Sequence, residues 1–114
     1  MRRLAIAMFV LLLLAGCRSR VITVATTNTT HAIIRNLEVQ YPGGSYGIPV
    51  LEPGRTHEYR IKPFRAGDLL VSYIDESGTV RKHTGPSLKK DDEGRIVITI
   101  SSSDFKWTAD LKVD

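Results

Sequence analysis

Beyond residue 20 the apolar residues change face at every second position, and that period decides what the chain can become. Ile22 and Val24, then Leu69, Val71 and Tyr73, then Ile96, Ile98 and Ile100 each mark one face of a short run rich in β-branched residues. No stretch past the N-terminal segment has the 3.6-residue period of a helix. Turn residues interrupt the runs at intervals of roughly 8–12 residues, the spacing of strands in a layered β domain. These features predict an all-β chain, a small antiparallel β-sandwich of seven or eight strands.

In order, strands are expected at 21–27, 33–41, around Tyr46, Ile48 and Val50, and at 56–62, 68–75, 79–84, 95–100 and from 105 onward. In the 33–41 run, strict alternation places Ile33, Arg35, Leu37, Val39 and Tyr41 on one side and Ile34, Asn36, Glu38 and Gln40 on the other. Pro42-Gly43-Gly44 ends that strand, and Pro49 confines the next to a sheet edge. Pro53-Gly54 fits the centre of a type II turn. The 68–75 run is apolar on both faces and so is expected at a sheet centre. Asp75-Glu76-Ser77-Gly78 is a hairpin connection. Lys89, Lys90, Asp91, Asp92 and Glu93 make 85–94 the longest gap, a solvated one. Trp107 alternates with Phe105 and Leu111 and is expected in the core.

The N-terminus is of another kind. Arg2 and Arg3 precede an uncharged apolar run from Leu4 to Leu14, followed by Ala15, Gly16 and the sole cysteine, Cys17. A basic region, a short apolar region and small residues are the parts of a secretory signal. The run is too short for a membrane span, which takes about 20 apolar residues, and Arg18 and Arg20 close it. Leu14-Ala15-Gly16-Cys17 resembles the lipobox of bacterial lipoproteins. The resemblance covers the first 17 residues and implies signal-peptidase recognition at Leu14, Ala15 and Gly16, with cleavage before Cys17. It also implies a diacylglycerol on the Cys17 thiol and an N-acyl chain, such as palmitate, on its new amino group, with no other cofactor. Arg18, rather than Asp, follows the cysteine, which by the same resemblance points to the periplasmic face of the outer membrane in a Gram-negative envelope. In bacteria without an outer membrane, the lipid anchor itself implies the outer face of the plasma membrane. The expected organisation is therefore a cleaved signal helix at 1–16, a lipidated N-terminus and short tether at 17–20, and the sandwich at 21–114.

Two further likenesses bear on the domain. The Leu51-Glu52-Pro53-Gly54 turn before Tyr59 and Ile61 resembles strand junctions of Ig-like and fibronectin-type domains, although the Cys–Trp–Cys pattern of true immunoglobulin domains is absent. The segment Tyr41-Pro42-Gly43-Gly44-Ser45-Tyr46-Gly47 is similar to one in small uncharacterised bacterial lipoproteins, a likeness that carries no activity. Asn28-Thr29-Thr30 matches a glycosylation sequon, which the bacterial signal sets aside in favour of a turn.

The whole chain carries a formal charge of +4, but Arg2 and Arg3 leave with the signal. What remains is nearly neutral, which gives no basis for a nucleic-acid surface. Gly43-Gly44-Ser45-Tyr46-Gly47 has the form of a G-x-S-x-G nucleophile elbow, with Asp68 or Asp75 and then His83 in hydrolase order. The elbow works where a strand turns sharply into a helix, and Pro42 and Pro49 bracket this one. The same glycines lack the GK[ST] of a phosphate loop. His31, His57 and His83 stand apart without metal-ligand spacing, and Asp91-Asp92-Glu93-Gly94 lacks the alternating ligands of a calcium loop. The expectation is therefore a non-enzymatic, membrane-anchored envelope lipoprotein, a binding or structural module with no metal. Its partner is another envelope protein, contacted through Tyr41 and, if exposed, Tyr46. The alternatives are a component of a larger envelope or secretion assembly, or a small hydrolase using Ser45.

Overall fold

The computed structural model describes residues 20–112, which form eight strands in two four-stranded sheets packed as a sandwich. The lipobox residues Leu14, Ala15, Gly16 and Cys17, and the expected signal helix, lie outside the described residues. The strands are β1 (Ile22–Asn28), β2 (Ile34–Tyr41), β3 (Gly44–Leu51), β4 (Thr56–Ile61), β5 (Gly67–Ile74), β6 (Val80–Leu88), β7 (Glu93–Ile100) and β8 (Phe105–Lys112). One sheet has the order β4-β1-β7-β8 and the other β3-β2-β5-β6.

β1 and β7 sit at the centre of their sheet, and their composition shows it. Ile22, Val24, Ile96, Ile98 and Ile100 are fully buried, each contributing roughly 1.5–3 kcal/mol by leaving water. Leu69, Val71 and Tyr73 of β5 face them from the middle of the other sheet. β1 pairs antiparallel with β4 but parallel with β7. The expected antiparallel sandwich forms, with the β1–β7 ladder as its one parallel pairing among the described residues. β2–β3, β5–β6 and β7–β8 are hairpins, whereas the chain changes sheets after β1, β3, β4 and β6.

The expected facing of β2 is also corrected. Ile34, Leu37 and Val39 are buried while Ile33 and Arg35 are exposed. Asn36 takes a positive φ of 49° and the β2–β5 register shifts between Arg35 and Glu38. One added residue in a strand reverses the faces beyond it. Asn reaches this left-handed conformation more readily than most residues. On the partner strand, Pro49 and Val50 point outward between the buried Ile48 and Leu51, so the two strands of the hairpin kink together.

The gap expected at 85–94 is largely strand. β6 continues through Gly85, Pro86 and Leu88, with a register shift against β5 between Asp68 and Leu70. Pro86 brings no N–H to the ladder, and such residues are accommodated at edges and bulges. Leu88 is fully buried, and a tight turn at 89–92 leads into β7. There Gly94 holds φ at 144°, and a Cβ on it would collide with the Asp110 carbonyl oxygen of β8. Trp107, expected in the core, is 42% exposed on the edge strand β8.

Candidate functional site

The two ends of the sandwich are built differently. Val21, Gly94 and Ile61 mark the end where the chain enters β1, with the Val21 carbonyl accepting from Gly94 N at 3.2 Å. The hairpin turn of Pro42 and Gly43 belongs to this end, where Phe64 N–H donates to the Pro42 carbonyl at 3.0 Å. At the opposite end the β1–β2 connection, the β5–β6 hairpin and the β7–β8 loop surround a cleft of about 300 Å³.

Asn28 shapes the rim of that cleft. It is fully buried at the end of β1, where a bare amide would be destabilising. Its Nδ2 donates to the carbonyls of Ala32 at 2.8 Å and Leu51 at 2.9 Å. Its Oδ1 accepts from Thr30 N at 2.9 Å and from the Thr30 hydroxyl at 2.6 Å. One side chain thus ties the first strand of one sheet to the last residue of β3 in the other. Asn28 is strand and staple, not the turn expected from the sequence. Thr29 N–H adds a bond to the Ile100 carbonyl at 2.8 Å.

Asp75 organises the opposite wall. Its Oδ1 accepts from Ser77 N, the Ser77 hydroxyl and Thr79 N at 3.0, 2.6 and 3.0 Å, which folds the expected hairpin connection around it. Its Oδ2 accepts from Arg81 Nε at 2.8 Å. The hydrogen bonds from Ser77 and Arg81 hold the Asp75 carboxyl well below the usual carboxylate range. Between the walls, Ile33, Ile34 and Ile100 give an apolar floor, and Ser101 and Ser102 line the far side.

A second, shallower depression continues past Arg81 to His83 and Phe105. The Tyr73 hydroxyl lies 3.2 Å from His83 Nε2, and the His83 ring stacks on Phe105. Desolvation, with the Arg81 charge behind it, lowers the His83 pKa, and burial raises that of Tyr73. Among the described residues no serine hydroxyl is hydrogen-bonded to a histidine, and no three His, Cys, Asp or Glu side chains converge on a metal-sized space. The arrangement suits binding of a part-apolar segment with hydroxyl or amide groups at its edge.

The residues singled out in the sequence lie elsewhere. Ser45 is exposed within β3 opposite Gln40. It is followed by more strand, so the strand-to-helix turn of a nucleophile elbow is not formed. Tyr41 is half-buried at the end of β2. Tyr46 is 9% exposed, so the exposure on which its proposed contact role depended is not met. It stacks on Tyr59 at a centroid distance of 4.3 Å. Burial pushes its hydroxyl far up, and the Thr26 hydroxyl beside it falls short of hydrogen-bond geometry, leaving both without a partner. His57 flanks this stack, far from His83 on the other edge of the sandwich. The cleft residues were less visible in sequence, although an Asp two residues before Ser-Gly is a known signature of a side-chain-stabilised turn.

No family model and no curated protein sequence matches the chain. Among solved structures, it is similar to the NMR structure of a protein from Eubacterium rectale, at 15% sequence identity and a TM-score of 0.57. The match covers 78% of this chain and 87% of that one. The likeness is one of fold. It supports the sandwich reached from strand order and burial, and it brings no activity with it.

Proposed function

We propose that the protein is a lipid-anchored, non-catalytic module of the bacterial envelope, which binds another envelope component through the cleft around Asp75 and Arg81. The observation that carries the reading is the position of the sole cysteine, at the end of a lipobox-like segment and five positions before the first residue of β1. So short a link keeps the end containing Val21 and Gly94 against the bilayer and turns the cleft toward the aqueous space. Two or three acyl chains, at about 0.8 kcal/mol per buried methylene, make such an anchor effectively permanent.

The test is metabolic labelling with a clickable palmitate analogue, followed by envelope fractionation. Label on the wild type, and its loss together with release from membranes in Cys17→Ser, is the expected result. An unlabelled wild-type chain would remove the anchor from the reading. The binding role is tested separately by proximity labelling. Arg81→Glu and Ile33→Asp should each deplete the same neighbour, and an unchanged neighbour profile would reject the cleft as the contact site.

A further inference from the structure

A single exposed apolar side chain is ordinary in a folded domain, but Phe64 is held in water rather than left there. It is the most exposed large apolar residue among those described, at 64%. Its N–H donates to the Pro42 carbonyl at 3.0 Å. Its ring lies over Gly43, which takes a φ of 103° and on which a Cβ would strike the ring. A hydrogen bond and a glycine thus hold out an aromatic ring that the described residues leave largely uncovered.

The place of this ring in the fold gives it a partner. Ile61, three residues earlier, pairs with Ile22 at the start of β1, so Phe64 lies at the end where Val21 and Gly94 meet. Val21 follows Cys17 by four positions, at most about 14 Å of extended chain. Lys62 and Arg65 flank Phe64 and are exposed, as are Lys89 and Lys90 in the 89–92 turn of the same end. Of the acids there, Asp92 Oδ2 accepts from Lys89 N–H at 2.8 Å and Glu93 lies 3.6 Å from Lys112 Nζ, which leaves Asp68 and Asp91. An aromatic ring between cations is the composition that settles at the boundary of headgroups and acyl chains. The cationic heads there reach lipid phosphate while their stems stay with the apolar layer.

We infer that the 62–66 loop is a second membrane contact, with Phe64 in the acyl boundary of an anionic phospholipid bilayer and Lys62 and Arg65 on its phosphates. This contact rests on the Cys17 anchor proposed above, and it supplies what a single link lacks. One flexible attachment leaves a domain free to pivot. A second contact at the same end fixes the long axis of the sandwich against the bilayer, with the Pro42–Gly43 turn supporting the ring from behind. The anchor holds Phe64 at a high effective concentration beside the lipid, so a weak contact is enough.

The test places the acylated chain, isolated from membranes, in vesicles of phosphatidylglycerol and phosphatidylethanolamine with brominated acyl chains, which quench tryptophan at short range. Trp107→Phe removes the sole tryptophan. Phe64→Trp or Val80→Trp then puts one at either end, Val80 being 58% exposed at the cleft end. Emission at 64 should fall about two-fold or more against unbrominated lipid, and emission at 80 should not change. Lys62→Glu with Arg65→Glu should reduce the quenching at 64, since each reversal sets a carboxylate against lipid phosphate. In the unsubstituted chain, a photoreactive phospholipid should crosslink within 62–66. A chain that floats with the vesicles overturns the second contact, and leaves the anchor standing, on any of four results: no quenching at 64, equal quenching at 64 and 80, indifference to the charge reversal, or no crosslink within 62–66. A chain that does not float overturns both.

Discussion

His83 of β6 stacks on Phe105 of β8 with ring centroids 4.1 Å apart and ring planes inclined by 3°. The opposite edge carries a counterpart, where Tyr46 of β3 lies against Tyr59 of β4 at 4.3 Å. Each margin of the sandwich, where the two sheets would otherwise part, is thus closed by an aromatic pair that bridges them. Such pairs contribute about 0.5–1.5 kcal/mol beyond the area they bury.

The Phe105 clamp should respond to truncation. Phe105→Ala removes the stack and half-buried apolar area, with an expected destabilisation of about 2–3 kcal/mol in urea unfolding. Phe105→Tyr, which keeps the ring, should lose less than about 1 kcal/mol.

His83 also gives stability a pH dependence of predictable sign. Its pKa in the folded chain lies below the unfolded value near 6.5. The unfolded state therefore takes up the proton first. The contribution of neutral His83 is present in full above about pH 6.5 and is lost as the pH falls toward the folded pKa. Asp75 is depressed as well, so its contribution is present above about pH 4 and is lost below it. Thermal midpoints measured from pH 8 to 3 should show two separate declines. His83→Gln should remove the upper one, and Asp75→Asn the lower.

Asn28→Ala leaves the Leu51 and Ala32 carbonyls and the Thr30 N–H without their buried partner. Loss of a buried network of this kind costs about 2–4 kcal/mol. Hydrogen exchange should locate the damage, with protection falling at the end of β3 and in the 29–33 connection, while the β5–β6 ladder keeps its protection.

Gly94→Ala introduces a Cβ toward the Asp110 carbonyl at a backbone angle that L-residues rarely adopt. A destabilisation of about 2 kcal/mol or more is expected. It should appear as faster exchange along β8, since that ladder must open to make room.

Tyr46 separates ring from hydroxyl. Its oxygen is buried without a partner, so Tyr46→Phe should be neutral or slightly stabilising. Tyr46→Ala should cost about 3–5 kcal/mol in the same unfolding assay.

Where alternation alone decides the facing, the sequence was readable. Ile96, Ile98 and Ile100, and likewise Leu69, Val71 and Tyr73, point inward as their period requires. The expectations failed where backbone geometry changes the count. Asn36 reverses β2 through one residue of positive φ, and Pro86 in a bulged β6 looks like a loop when read one residue at a time. Trp107 is apolar in character but sits on an edge strand, and strand order is not local information. Asn28 was opaque for a related reason, since one of its acceptors, the Leu51 carbonyl, is 23 residues away. Asp75 was the more legible half of the cleft, because its partners lie within six residues.

β1 enters at one end of the sandwich and delivers Asn28 to the cleft at the other, a path of seven residues or about 20 Å. For a chain anchored at Cys17, that length acts as a spacer against the membrane's own field. Ions screen charge over about 8 Å at physiological strength, so under the proposed anchoring the Asp75–Arg81 pair would stand more than two screening lengths from the headgroups. What the cleft selects should therefore be indifferent to whether the underlying lipid is anionic or neutral.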